Sequence, residues 1–193
     1  MRVLVIPEDS RRDKDLLKPL IQALMAELGR PRAKVRVCEK PVLGGVAEAL
    51  KWERIQEIID LWGGQTDLFL LLVDRDGAQN SGRKLTLASL EQRSIALLGY
   101  EKALLGELAI EEVEVWVLAG HNLPSGWRWG DIRAEPNPKE RYFARFLAEH
   151  RKISDDAAGR AIVAEEAARG IRRILARCPE DLERLANRIR ERL

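Results

Sequence analysis

The sequence predicts an α/β fold, a doubly wound parallel sheet flanked by helices. Three observations predict it. Leu68-Phe69-Leu70-Leu71-Leu72-Val73 is an unbroken apolar run. Such a run reads as a strand buried on both faces, as in a parallel sheet. Strand-like runs alternate with helical periods along the first hundred residues, the pattern of successive βαβ units. The apolar run also ends abruptly in Asp74-Arg75-Asp76-Gly77, and open α/β sheets place their ligand sites at the carboxyl ends of strands.

The elements follow in order. Arg2–Ile6 is a first strand, ended by Pro7. Asp13 to Leu28 carries Leu16, Leu17, Leu20, Leu24 and Leu28 at a helical period, with Gly29 and Pro31 to stop it. Ala33–Cys38 alternates weakly and reads as a second strand. Val46–Trp62 is a second helix, closed by Gly63-Gly64. Leu68–Val73 is the third strand. Gly77 to Arg83 has the composition of a mobile loop, and Lys84–Leu98 returns to helix. Ala103–Ile110 fits a fourth strand. Residues 111–119 are ambiguous: Val113, Val115 and Val117 alternate as in a strand, yet Glu111 and Glu112 are suited to open a short helix. Gly120 to Pro138 reads as a long loop. From Lys139 the chain is helical: one helix to about His150, a longer one from Asp155 to Arg177 capped by Ser154 or Asp155, and a last one over 180–193, started by Pro179. The division is residues 1–135 as the α/β domain and residues 136–193 as a helical extension packed on the same core.

The chain has 193 residues, 46% hydrophobic and 33% charged, with a net charge of +2. That fits a globular protein with a charged surface and gives no global field for a polyanion, so any nucleic-acid contact must be local. Cys38 and Cys178 have no metal-ligand spacing and read as reduced, partly buried residues. No apolar stretch approaches the ~20 residues of a membrane span, and no leader is evident. The expectation is a cytoplasmic protein with no membrane partner.

Glu8 follows the first strand, and Asp74 and Asp76 end the third. If those strands are neighbours, three carboxylates converge at one crevice. Residues two apart on a strand point the same way, and like charges held side by side repel unless a hard cation relieves them. Mg²⁺, or Mn²⁺, suits such a site, because it binds through few carboxylates and keeps places for substrate oxygens. Lys139, after Pro138, is a candidate to aim an ammonium at a phosphate; the alternative is a plain helix-start pair. Arg128, between Trp127 and Trp129, belongs to a loop of alternating aromatic and basic residues of the kind that stacks on unpaired bases. The alternative for that loop is two Trp side chains packing it onto the domain. The arginines and acids that alternate over residues 165–192 read as a solvated, salt-bridged face.

Val5-Ile6-Pro7-Glu8-Asp9, the helix after it, and Leu71-Leu72-Val73-Asp74-Arg75-Asp76-Gly77 resemble the TOPRIM domain of topoisomerases, primases and overcoming-lysogenization-defect nucleases. The wider chain resembles a prokaryotic family of TOPRIM-like proteins. On that likeness Glu114-Val115-Trp116-Val117-Leu118-Ala119, Pro138-Lys139 and the helical C-terminus match further family segments. The resemblance implies a TOPRIM-like, Rossmann-type sheet. It implies a helix over 111–119 and Glu114 as a fourth carboxylate at the metal site. The chain departs from the pattern at Asp9, where the family has Gly, and at Gly120-His121, where it often has Asp.

The function expected from these features is Mg²⁺-dependent phosphodiester hydrolysis by a nuclease of TOPRIM type, with nucleic acid as partner. Asp74, Asp76 and Glu114 would bind metal, and Glu8 would bind metal or act as base. One alternative is a TOPRIM-like binding module without turnover. The other is a phosphatase of haloacid-dehalogenase type with Asp74 as nucleophile, Lys139 as the required lysine and Asp155-Asp156 as the later acids.

Overall fold

The computed structural model describes residues 1–192; Leu193, the last residue of the expected final helix, lies outside the described residues. Its centre is a four-stranded parallel sheet of β1 (Arg2–Pro7), β2 (Lys34–Val37), β3 (Leu68–Asp74) and β4 (Ala103–Ala109), in the order β2-β1-β3-β4. This is the Rossmann-like α/β arrangement that the apolar run predicts. β1 and β3 are neighbours, with Pro7 opposite Leu72, so Glu8 and Asp74 leave the sheet at the same edge.

Strand periodicity divides the core in two. Val3, Val5, Leu68, Leu70, Leu72 and Leu105 face one way. There they meet α1 (Ser10–Glu27), α5 (Glu114–Gly120), α7 (Ala157–Ala168), α8 (Ile171–Arg177) and α9 (Arg184–Arg190). Leu4, Ile6, Phe69, Leu71, Val73 and Leu104 face the other way. They pack on α2 (Val46–Ala49), α3 (Trp52–Trp62) and α4 (Arg83–Leu98). Phe143, Val163, Ile174 and Ile189 share a core with β1 and α1, so the C-terminal helices are part of one sheet face. Both cysteines are buried and unpaired.

Several elements differ from the sequence reading. The helix expected over Val46–Trp62 breaks at Leu50-Lys51, where Lys51 is extended (φ −82°, ψ 131°); nothing in the local sequence marks this break. Residues 78–82 form a 3-10 turn rather than an open loop, tied down by Asn80 Nδ2 donating to the Asp76 carbonyl at 2.7 Å. The region 120–138 holds a further helix, α6 (Trp129–Ala134). It is too short for a period to show, and Trp129 Nε1 anchors it by donating to the Arg177 carbonyl at 3.0 Å. The helix expected over 155–177 divides into α7 and α8 at Gly170. A Cβ on Gly170 would stand 2.9 Å from the Gly120 carbonyl oxygen, so only glycine lets the two backbones meet there. Asp156 caps α7, accepting from Gly159 N at 2.8 Å, whereas Asp155 pairs with Arg160. Residues 139–143, 146–151 and 179–183 wind as widened π turns.

Of the ambiguous stretch 111–119, the helical reading holds from Glu114: α5 covers Glu114–Gly120, while Glu111 and Glu112, expected to open it, lie in the turn before it. Every residue of α5 is buried. A helix enclosed on all sides is apolar all round and carries no amphipathic period, which is why its valines alternate as a strand's would. Among the described residues, no helix is long and apolar enough to cross a membrane.

Candidate metal centre

Three strand ends and two turns assemble the site. β3 delivers Asp74, whose carboxylate Oδ1 accepts from Val113 N at 2.9 Å. The chain then turns sharply: Asp76 takes a left-handed φ of 48° and Gly77 follows at φ 99°. Asp tolerates that region better than most residues, and Gly is the usual occupant. Arg83 holds the turn, donating to the Asp74 carbonyl at 2.5 Å and to Asp76 Oδ2 at 2.8 Å. After β4, a cis peptide joins Ile110 and Glu111. The Glu111 carbonyl accepts from Arg75 N at 2.9 Å and Asp76 N at 3.3 Å. Its carboxylate pairs with the Arg75 guanidinium and accepts from Gly77 N at 2.7 Å. The 110–112 turn is thereby fastened to the end of β3.

The result is a group of three acids. Asp74, Asp76 and Glu112 each offer a carboxylate oxygen, and these oxygens lie within 4.8 Å of one another. Oxygens around one Mg²⁺ sit ~2.1 Å from the ion, hence ~3–4 Å apart. The three residues can therefore hold a metal ion with small side-chain adjustment. Glu8 stands against them: its Oε2 accepts from Asp74 N at 3.3 Å.

In the sequence Glu112 reads only as a helix opener, so its place beside Asp74 and Asp76 is a finding of the structure. The structure adds a second acid that sequence reasoning missed. Asp13 lies on α1 in line with Leu16, Leu17 and Leu20, and is buried with them. A carboxylate on the apolar stripe of an otherwise regular amphipathic helix is the signal that marks it.

The electrostatics follow from burial and crowding. Desolvation, with Glu114 and Glu8 nearby, raises Asp74 well above the usual carboxylate range. Asp13 is raised to about 7 by burial and by the same two neighbours. Glu112 is also raised to about 7, mainly by burial, against the Lys139 N–H that its carboxylate accepts. Glu8 rises for want of solvent too. In each case the dominant cause is lost hydration of the charged form, which a bound cation would replace.

The other expected site residues divide. Glu114 is 1% exposed. Its Oε1 is taken by Arg160 at 2.6 Å and Lys139 Nζ at 3.1 Å. Its Oε2 is buried without a hydrogen-bond partner. Lys139 thus reaches the acidic cluster through Glu114. Arg128 does not reach the cluster: it is exposed, pairs with Asp131 at 2.9 Å on α6, and lines neither of the two nearby hollows. Trp127 stands edge-on to Tyr142, with ring centroids 5.0 Å apart. Trp129 is bonded to Arg177, so both Trp rings pack the segment onto the helices behind it. Of the two acids after Ser154, one pairs with Arg160 and the other caps α7.

Asp9 and Gly120 both have local structural roles. Asp9 has φ −130° and caps α1 by accepting from Arg11 N at 3.0 Å, a conformation that needs no glycine. A Cβ at Gly120 would lie 2.6 Å from the Ala167 carbonyl oxygen, so α5 and α7 close only over a bare backbone.

One hollow adjoins the acids directly, and a second is linked to them through Lys139 and Arg160, which bind Glu114. The first, of about 550 Å³, is lined by Arg75, Asp76, Glu112, Arg133 and Asn137 among others. The second, of about 250 Å³, gathers Arg11, Arg12, Lys139 and Arg160 around Asp15, Asp155 and Asp156. Cationic groups therefore flank the carboxylates from the α1 and α7 side. No family model, curated protein or solved structure matches the chain.

Proposed function

We propose that this chain is a divalent-cation-dependent phosphodiesterase, a nuclease of TOPRIM type acting on nucleic acid. The observation that carries the reading is the meeting of Asp74, Asp76 and Glu112 within 4.8 Å at the carboxyl edge of a parallel sheet. Mg²⁺ or Mn²⁺ is the ion such an all-carboxylate set favours. When bound, it would polarise a phosphoryl oxygen and acidify a water. Glu8 sits at the rim with its proton affinity raised, suited to take a proton from that water. Lys139 and Arg160, already drawn in by Glu114, supply positive charge for a phosphate, with Arg12 beside them. Arg128 stands apart, and its part would be limited to a flanking segment of a longer strand.

Calorimetric titration with Mg²⁺ and Mn²⁺, beside hydrolysis assays on labelled single-stranded and duplex DNA and RNA, tests the reading. Asp74→Asn and Glu112→Gln are each expected to weaken cation binding and to lower cleavage by about 100-fold or more. A wild-type protein that binds neither ion and cleaves nothing would sink the proposal.

One observation favours the second reading, a binding module without turnover. Asp76 already has Arg83, and Glu114 already has Arg160 and Lys139, so two acids carry cations of their own. Tight cation binding with no cleavage of any of the four substrates selects that reading.

A further inference from the structure

Glu112 reaches the cluster from a turn that the sheet does not hold. The β3–β4 ladder ends at Asp74 opposite Ala109, so Ile110 has no strand partner. On one side the turn is fastened to Arg75 and Asp76 through Glu111. On the other it is held by the C-terminal helices. Ile110 N donates to Asp181 Oδ2 at 2.9 Å, and the Ile110 carbonyl accepts from Arg133 Nη1 at 2.6 Å. Arg133 Nη1 also meets Asp181 Oδ2 at 3.3 Å. One ion pair thus grips both backbone groups of the residue at which the sheet gives way to the acidic turn.

Asp181 is 0% exposed. The sequence reads it as part of a solvated, charged face; the structure puts it inside the core, where it also accepts from Trp116 Nε1 at 2.9 Å. Trp116 belongs to α5, whose first residue is Glu114. The same carboxylate therefore fixes the two segments that bring Glu112 and Glu114 to Asp74. A buried charge with that many directed partners over-determines the backbone around it.

We propose that Asp181 and Arg133 are positioning residues of the cation site, setting the place of Glu112 relative to Asp74 and Asp76 without touching the ion. The inference rests on the reading of those three acids as cation ligands. Through Asp181 it assigns the C-terminal helical part a share in building the site.

The test compares Mn²⁺ affinity by calorimetry on the full chain with thermal unfolding in a chelator. Asp181→Asn keeps an acceptor for Ile110 and Trp116 but loses the charge facing Arg133; Arg133→Met removes the grip on the Ile110 carbonyl. Leu182→Ala, at a buried core neighbour, serves as the control for lost stability. Asp181→Asn and Arg133→Met are expected to weaken Mn²⁺ binding by about 10-fold or more, as outer partners of metal ligands do. Leu182→Ala is expected to lower the unfolding temperature at least as far while leaving affinity within about 2-fold. The same affinity in wild type and both variants overturns the inference, as does an equal loss in the control. If wild type binds no Mn²⁺, the ligand reading itself has failed, and this inference falls with it.

Discussion

Two edges of one sheet bury acids in opposite ways. Along the outer side of β4, each acid has an arginine. Glu107 pairs with Arg184, Glu91 with Arg188 at 2.6 Å, and Asp181 with Arg133 at 3.3 Å. Glu91 and Arg188 also take up the free N–H and carbonyl of Gly106, at 2.7 Å each. An edge strand would otherwise offer these groups to another chain. At the carboxyl edge, Glu8, Asp13, Asp74 and Glu112 crowd together, and none of the four has a salt-bridge partner among the described residues. All four are pushed toward protonation by burial. Acids matched to arginines build structure. Acids buried together without such partners cost stability, and are kept where a ligand is to offset them.

The contrast can be broken at either edge. The largest effect is expected from Glu107→Ala, which strands Arg184 beside the core while Arg188 keeps Glu91. Because Arg184 is one-third exposed, the loss should be about 3 kcal/mol, at the low end for a broken buried pair. Denaturant unfolding measures it, and cation affinity should stay unchanged.

Asp13→Asn should act in the opposite direction. The native state holds a proton on Asp13 up to about pH 7, well above the ~3.9 of an unfolded aspartate. Its contribution is therefore fully present below about pH 4 and is lost as pH rises through about 7. The cation-free variant should be more stable than wild type at pH 8, on the order of 2 kcal/mol, and nearly equal only at about pH 4. Unfolding curves at the two pH values would show it, and the reverse order would remove Asp13 from the acidic cluster.

The smallest effect expected is on cation affinity itself. A carboxylate must lose its proton to bind a cation. With Glu112 raised to about 7, Mn²⁺ binding should tighten about 10-fold between pH 6 and pH 8. Calorimetry in buffers of differing protonation enthalpy should record the released proton. A flat profile would mean that Glu112 is no ligand.

Much of the scaffold was legible in the primary chain, and the reasons are particular. Leu68–Val73 is apolar at every position because helices cover both faces of β3. A strand with one wet face would alternate instead. Leu16, Leu17, Leu20 and Leu24 repeat helically because α1 lays one side on the sheet. Legibility failed where a segment is enclosed or short. α5 has no polar face to reveal its period, and α6 spans fewer than two turns. Asp74 and Asp76 could be read from a strand end, and Asp13 left a trace as an acid on an apolar stripe. Glu112 and Asp181 left none, since nothing local separates a buried acid from the many exposed ones.

The order of residues by itself determined the parallel sheet, its flanking helices and the place where Asp74 and Asp76 leave it, because periodicity and burial are local properties of a chain. Only the tertiary structure decided which acids gather there. Glu112 joins them because the 110–112 turn is fastened between β3 and the Asp181–Arg133 pair, and Glu114 is drawn to Lys139 and Arg160 instead. Electrostatic partnership depends on distances of a few ångströms between residues far apart in the chain, 71 positions for Ile110 and Asp181, and no pattern along the backbone encodes that separation.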